Sequence, residues 1–176
     1  MRDKVKSVDE MILAAAELKK RQARLIFTNG CFELIHVGHI RYLQAARALG
    51  DALVVGLNSD VSVRTIKGAP RPLVAEAERA EVLAALACVD YVVIFPEPTA
   101  ERLVAALRPD VYVKGGDYAA AGAEGPTPSA GAGPLKIAPE MRVVQQYGGQ
   151  VVVIPYSAGH STTFLIENIL QSYRQP

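Results

Sequence analysis

Leu25-Ile26-Phe27-Thr28-Asn29-Gly30-Cys31-Phe32-Glu33-Leu34-Ile35-His36-Val37-Gly38-His39 begins as a short apolar run and ends at the entry to a helix. Residues 25–28 have the length and β-branching of a buried strand. Residues 38–49 carry a helical pattern, and Gly50 behind them supplies a C-terminal stop. The same rhythm extends outward. Upstream, Ser7-Val8-Asp9-Glu10 reads as a capping box opening a helix that runs to about residue 20. Downstream, apolar runs at 52–57, 91–95, 111–113 and 151–154 alternate with helical stretches at 76–87, 99–107, 139–147 and 162–173, the second of these capped by Thr99. Asn58-Ser59-Asp60 reads as a polar turn. Continuously apolar strands separated by helices predict a doubly wound α/β fold of about five parallel strands, with helices on both faces. In such sheets ligands bind beyond the carboxyl ends of the strands, near the topological switch point.

The 176 residues fit one domain, 1–176, with 1–22 as an N-terminal helical segment and 119–138 as a flexible excursion. Nineteen basic against eighteen acidic residues leave a net charge of +1. No overall field then draws nucleic acid or an anionic membrane, so any anionic ligand is held by a local site. No apolar run is long enough for a membrane span, and no apolar h-region follows the charged start Met-Arg-Asp-Lys-Val-Lys. Cys31 and Cys88 lack a Cys-x-x-Cys partner, which argues against a zinc site and a disulfide framework. Cys88 reads as a small core residue. The expected setting is the cytoplasm, with small molecules as partners. The Gly/Pro/Ala/Ser-rich stretch 119–138 buries too little to offset its ordering entropy. It reads either as an inserted loop without a role or as an active-site flap, since it starts just past a strand's carboxyl end.

His36 and His39 stand three apart at a helix entry, with Gly38 between them. That spacing can bring both imidazoles toward one point, while Gly38 leaves room for a ligand to approach the backbone. The free amides of a helix N-terminus add partial positive charge there. Such a pocket suits phosphate oxygens. A lone histidine at this position is usually a cap or surface residue; two in this setting are harder to explain that way.

Gly30-Cys31-Phe32-Glu33-Leu34-Ile35-His36-Val37-Gly38-His39 resembles the signature of the cytidylyltransferase-like nucleotidyltransferases, Gly-x-Phe-Asp-x-x-His-x-Gly-His. Ser161-Thr162-Thr163 matches their second signature, at the start of a late helix. Within that superfamily the chain is most similar to the adenylyltransferase domains of ADP-heptose synthases. The shared stretches are Phe-Thr-Asn-Gly-Cys-Phe at 27–32, Asn-Ser-Asp at 58–60, Lys-Gly-x-x-Arg-Pro at 67–72, Lys-Gly-Gly-Asp-Tyr at 114–118, Tyr-Gly-Gly at 147–149 and Gly-His-Ser-Thr-Thr at 159–163. The resemblance runs from Arg24 onward and omits only the excursion.

What it implies is a Rossmann-like enzyme that moves AMP from ATP to a sugar 1-phosphate, heptose 1-phosphate foremost, releasing pyrophosphate. Mg²⁺ would ride on the phosphates, with no metal ligand among the side chains. The implied catalytic residues are His36, His39 and Lys67, the last reaching phosphate from a mobile loop. Thr28, Asn29, Gly30, Phe32, Gly38, Lys114, Gly116, Asp117, Ser161, Thr162 and Thr163 would line the nucleotide site. Glu33, Asn58, Asp60, Arg71 and Arg79 are candidate substrate contacts. Arg79 reads equally as a solvated ion pair with Glu76 or Glu78, and the Ser-Thr-Thr turn equally as an ordinary N-cap. Relatives commonly dimerise, so a homodimer is expected. So is a transferase without the kinase half that some bifunctional relatives carry.

Two departures matter. Glu33 replaces the signature's Asp, which keeps the charge but adds a methylene. Ser157 stands where the glycerol-3-phosphate cytidylyltransferases carry arginine, which favours a sugar phosphate over an alditol phosphate. The alternatives are a CTP-using enzyme acting on an alditol phosphate and a nucleotide-binding module impaired in catalysis. No Gly-x-x-x-x-Gly-Lys-[Ser/Thr] and no Gly-x-Gly-x-x-Gly occurs, which disfavours a P-loop enzyme and a dinucleotide-dependent dehydrogenase.

Overall fold

The apolar runs that read as strands pair with one another in parallel, and the segments between them cover both faces of the resulting sheet. The computed structural model of the chain describes residues 2–116, 138–155 and 162–173. Its elements run β1 (Val5–Lys6), α1 (Val8–Lys20), β2 (Leu25–Gly30), α2 (Val37–Arg47), β3 (Ala52–Asn58), α3 (Asp60–Lys67), α4 (Glu76–Ala85), β4 (Tyr91–Phe95), α5 (Glu101–Leu107), β5 (Val111–Gly115), α6 (Pro139–Gln146), β6 (Gln150–Ile154) and α7 (Thr162–Tyr173). The sheet order is β1-β4-β3-β2-β5-β6, with every pairing parallel. No described helix is long and apolar enough to cross a membrane.

Six strands stand where about five were expected. The extra one is the two-residue β1, whose Val5 and Lys6 pair with Val92 and Val93 of β4. Two residues carry no periodicity to read. They are held instead by Lys4, whose ammonium donates to the carbonyls of Leu86 and Val89 at 3.1 and 2.7 Å.

Three local expectations also change. The Asn58-Ser59-Asp60 turn is the start of α3, with the Ser59 hydroxyl accepting the Ser62 amide at 3.2 Å as N-cap. Lys67 is therefore the last residue of a helix and not part of a loop. α5 begins at Glu101, because the Thr99 hydroxyl donates to the Glu101 carboxylate at 2.9 Å and caps no amide. α2 ends at Arg47 with Ala48 as its C-cap, before Gly50. Gly50 is needed for a close approach: a Cβ there would sit 2.6 Å from Ile26 Cδ1 and 2.7 Å from the Arg24 carbonyl oxygen. The capping box at Ser7 is formed as read, with reciprocal bonds between Ser7 and Glu10 of 3.2 and 2.8 Å.

At the amino edge of the sheet one device recurs three times. Asp51, Asp90 and Asp110 each stand immediately before a strand and accept an amide at the start of a neighbouring one. Their partners are the amides of Arg24 at 2.7 Å, Leu53 at 2.8 Å and Leu25 at 2.7 Å. Strand-end amides that lack a ladder partner are thereby satisfied.

Side chains alternate along β2. Leu25 and Phe27 join the core under α1, α5 and α6, with Met11, Val104 and Met141. Ile26 joins the opposite core under α2 and α4, with Leu43, Ala46 and Leu83. The chain leaves β2 toward β3 on one side and returns later to β5 on the other, so the switch point is the gap between β2 and β5. Packing keeps this centre tight. A Cβ on Gly56 in β3 would lie 2.7 Å from Phe27 Cζ and 3.3 Å from Asn29 Cβ. Gly56→Ala is therefore expected to destabilise the protein by about 1–3 kcal/mol through overpacking. A urea unfolding midpoint equal to that of the parent would contradict this reading.

Candidate active site

β2 carries Asn29 and Gly30 to the carboxyl edge, and six residues connect it to α2. Within that connection Phe32 adopts φ +42°, an uncommon conformation for a bulky L-residue. It tucks the ring into the core, 7% exposed, with its centroid 5.4 Å from that of His39. A Cβ on Gly30 would come within 3.1 Å of this ring. His36 occupies the N-cap position of α2 with an extended backbone, and its side chain makes no capping bond. The His36 and His39 rings stack with centroids 3.9 Å apart and planes 30° apart. The two imidazoles converge at an uncapped helix N-terminus, with Gly38 in the first turn between them.

Burial depresses the His39 pKa from 6.5 to about 4, and the charges of His36 and Lys67 add to the effect. His39 is therefore neutral at physiological pH. Its Nδ1 is buried without a hydrogen-bond partner among the described residues, an unmet polar group of the kind functional sites retain. Lys67, exposed at the end of α3, also acts electrostatically on Cys31 and Glu33. The first two catalytic candidates thus lie side by side, with the third within electrostatic reach.

The candidate substrate contacts divide differently. The Glu33 side chain is fully buried. Burial pulls its pKa up, but hydrogen bonds from Arg71 and the Leu73 amide, with the charges of Arg71 and Lys67, lower it overall. The Arg71 Nε donates to both carboxylate oxygens at 2.7 and 2.8 Å, and Nη2 and the Leu73 amide donate as well. The added methylene of Glu33 therefore serves to reach the 68–73 loop. Arg79 is 1% exposed, which excludes a solvated ion pair. It donates to the carbonyls of Val74, Cys31 and Asn58 at 2.9, 2.6 and 2.9 Å and to the Asp60 carboxylate at 2.7 Å. With its donors spent on four segments, Arg79 holds the scaffold together. Asn58, 3% exposed, donates to the Ser62 hydroxyl at 2.8 Å. Asp60 receives Arg79, and its amide bonds Glu76 at 2.6 Å.

A third group of residues sits at the switch point. Thr28 is buried, with its hydroxyl 2.6 Å from that of Tyr42, which donates to the Val113 carbonyl at 3.0 Å. The Asn29 Oδ1 accepts from Tyr112 at 2.7 Å and Lys114 at 3.3 Å, while its Nδ2 donates to Glu140 at 3.3 Å. Burial lowers the Lys114 pKa, opposed by the charges of Glu140 and Cys31. Gly116 turns the chain at φ +84°, its amide bonding the Ile154 carbonyl at 3.0 Å. Thr162 opens α7. Asp117 and Ser161 lie outside the described residues, as do the excursion up to 137 and Ser157; of Thr163 only the backbone is described.

Glu140 escapes a sequence reading because a single acid at a helix start looks like dipole compensation. The signal in the sequence is its position: the first acid after the excursion, in the first turn of the helix that returns to the sheet. Hollows at the opposite, amino edge, around Lys19, Asp110 and Gly148, include no residue of the histidine loop.

The family model described as Cytidylyltransferase-like matches residues 27–165. Among curated proteins the chain is 52% identical over 166 residues to the bifunctional protein HldE of Geotalea uraniireducens, covering 94% of this chain and 31% of that one. It is 48% identical over 170 residues to the bifunctional protein HldE of Geobacter sulfurreducens, covering 97% and 32%. The chain thus spans about a third of the length of these relatives. Among solved structures, a lipopolysaccharide core biosynthesis protein from Thermoplasma volcanium aligns with TM-score 0.56 and 24% identity, over 77% of this chain and 97% of that one. The pantoate-beta-alanine ligase of Francisella tularensis, solved with a β,γ-ATP compound and β-alanine, aligns with TM-score 0.57 and 13% identity, over 98% and 79%. At these identities the structural likeness concerns the Rossmann-like fold. With a stacked histidine pair at an uncapped helix start beside the switch point, and a family match over most of its length, the chain belongs to the cytidylyltransferase-like family of nucleotidyltransferases.

Proposed function

We propose that this protein transfers AMP from ATP to a sugar 1-phosphate, with heptose 1-phosphate as the favoured acceptor, in the cytoplasm. The observation that carries the reading is the convergence of His36 and His39, 3.9 Å apart between ring centroids, at the N-terminus of α2. An acceptor phosphate oxygen attacks the α-phosphorus in line. The new O–Pα bond forms as the bond from Pα to the bridging β-phosphate oxygen breaks, and pyrophosphate leaves. No protein nucleophile is required, so positioning and electrostatic stabilisation supply the rate.

The neutral His39 serves as a hydrogen-bond donor to charge building on phosphoryl oxygens, and it needs no proton release to do so. Lys67 supplies a cation from α3, and Lys114 a second from β5. Mg²⁺ suits phosphate oxygens, which can hold it with water and little help from the protein. The sugar assignment is supported by the identity to the HldE proteins and by Ser157 standing where the alditol-phosphate enzymes carry arginine.

A pyrophosphate-release assay crossing ATP, CTP, GTP and UTP with sugar 1-phosphates and alditol phosphates tests the substrates. The highest turnover is expected with ATP and a sugar 1-phosphate. A preference for CTP with an alditol phosphate overturns the assignment, and binding without any release supports an impaired module. His39→Ala is expected to lower kcat about 100-fold or more while circular dichroism stays unchanged; undiminished turnover removes His39 from the mechanism.

The same histidine makes stability depend on pH. Its folded pKa of about 4 lies below the ordinary 6.5, so between those values the unfolded chain binds more protons than the folded one. Stability is then full above pH 6.5 and is lost as pH falls toward 4. In His39→Gln the urea midpoint is expected to fall less between pH 7.5 and 5 than in the parent. Equal falls in both proteins would show that His39 makes no such contribution.

A further inference from the structure

We infer that Glu140 is a positioning residue: from the first turn of α6 its carboxylate fixes the Asn29 amide and holds the positive charge of Lys114 at the switch point between β2 and β5. The inference rests on the proposed function in placing phosphate oxygens at that gap. Its argument starts from a single side chain. The Asn29 amide stands between a cation and an anion, its oxygen 3.3 Å from the Lys114 ammonium and its nitrogen 3.3 Å from the Glu140 carboxylate. The Tyr112 hydroxyl, at 2.7 Å, adds a second donor on the oxygen side. Only one orientation of the amide satisfies all three neighbours, since the reverse would face its NH₂ toward an ammonium and its oxygen toward a carboxylate.

Glu140 is itself fixed. It is 3% exposed and accepts the Ala100 amide, at the start of α5, at 2.9 Å. One carboxylate thus joins α5, α6 and β2. A buried acid in this place is expensive unless paired and hydrogen-bonded, and Lys114 supplies the opposite charge. Among the described residues, the groups acting on Lys114 include Glu140 from α6, Cys31 from the loop after β2, the Asn29 amide from β2, and the Tyr112 ring of its own strand, 5.9 Å from the ammonium. Burial disfavours the ammonium, and among the described residues Glu140 is the strongest charge opposing that effect. Without it, Lys114 would tend toward the neutral amine, and the gap would lose a cation for anionic oxygens. Glu140 is buried against Asn29 and the start of α5, so it acts through Asn29 and Lys114.

Glu140→Gln tests this, because its amide oxygen can still accept from Ala100 while the charge is gone. The ammonium of Lys114 is titrated by NMR in ¹³Cε-lysine protein, a readout independent of turnover. The Lys114 titration is expected to move down by about one pH unit or more, and the alkaline limb of kcat/KM to move with it. Glu140→Asp is expected to restore both midpoints and to leave KM for the nucleotide raised, since the shorter carboxylate keeps the charge and loses reach. An unmoved Lys114 titration in folded Glu140→Gln overturns the inference, as does a rate loss equal at every pH. If the parent releases no pyrophosphate with any substrate pair, the proposed function fails, while the Lys114 titration still decides the role of Glu140.

Discussion

β2 is hydrogen-bonded on both sides, to β3 and to β5, and packed on both faces. The ladder with β3 runs to Gly30, whereas the ladder with β5 ends at Phe27. The strand can therefore present groups to a small molecule on its β5 side, toward the carboxyl end at Asn29 and Gly30. The chain changes direction there as well: β3 lies to one side, β5 to the other, and α2 starts six residues on. Residues destined for opposite layers therefore meet at one edge. Thr28 turns toward Tyr42 and α2, while Asn29 turns toward Tyr112, Lys114 and α6. The side-chain period of two splits these neighbours between the layers. The histidine pair belongs to one layer and the Asn29 group to the other, with the gap between β2 and β5 separating them.

Arrangement at such an edge needs anchors, since loops carry few internal contacts. Two buried charged side chains provide them. Arg79 gathers carbonyls from three segments, and Glu33 gathers Arg71 and the Leu73 amide. A guanidinium suits the first task because its planar fork donates in several fixed directions. A carboxylate suits the second because it accepts several donors at once. Glutamate in place of the signature aspartate is consistent with this use. Its extra length is taken up by contacts to the 68–73 loop, and the loop carries Arg71 onto it. Lys67, one residue before that loop, lies within electrostatic reach of the same clamp.

Much of this was legible in the sequence because it depends on short-range rules. The β2 strand, the α2 entry and the histidine spacing follow from apolar runs, glycines and the three-residue step of a helix turn. The Ser7 capping box, likewise a local pattern, is formed as read. What escaped the reading depends on contacts across the chain. β1 is too short for periodicity and exists through β4 and Lys4. Arg79 reads in the sequence equally as a substrate contact or a solvated ion pair, because its helix neighbours are glutamates, yet its partners lie 5 to 48 positions away. Glu140 meets Asn29 from 111 positions away. The Asp51, Asp90 and Asp110 device shows an intermediate case, a recurring Asp before an apolar run whose partner no local rule identifies.

The electrostatics follow from the same geometry. With a net charge of +1 the chain offers no general attraction to anions, so affinity for a triphosphate must come from groups gathered at one edge. Gathering cations without a ligand is costly, because like charges repel and burial removes water. The protein lessens that cost in three ways. His39 stays neutral, Lys67 stays exposed to solvent, and Lys114 stands near a buried carboxylate. In the proposed reaction the neutral imidazole donates hydrogen bonds, and the charge is carried by one solvated ammonium and one that a carboxylate supports. A stable fold and stabilisation of charge during transfer are then compatible, because no cation is buried without compensation.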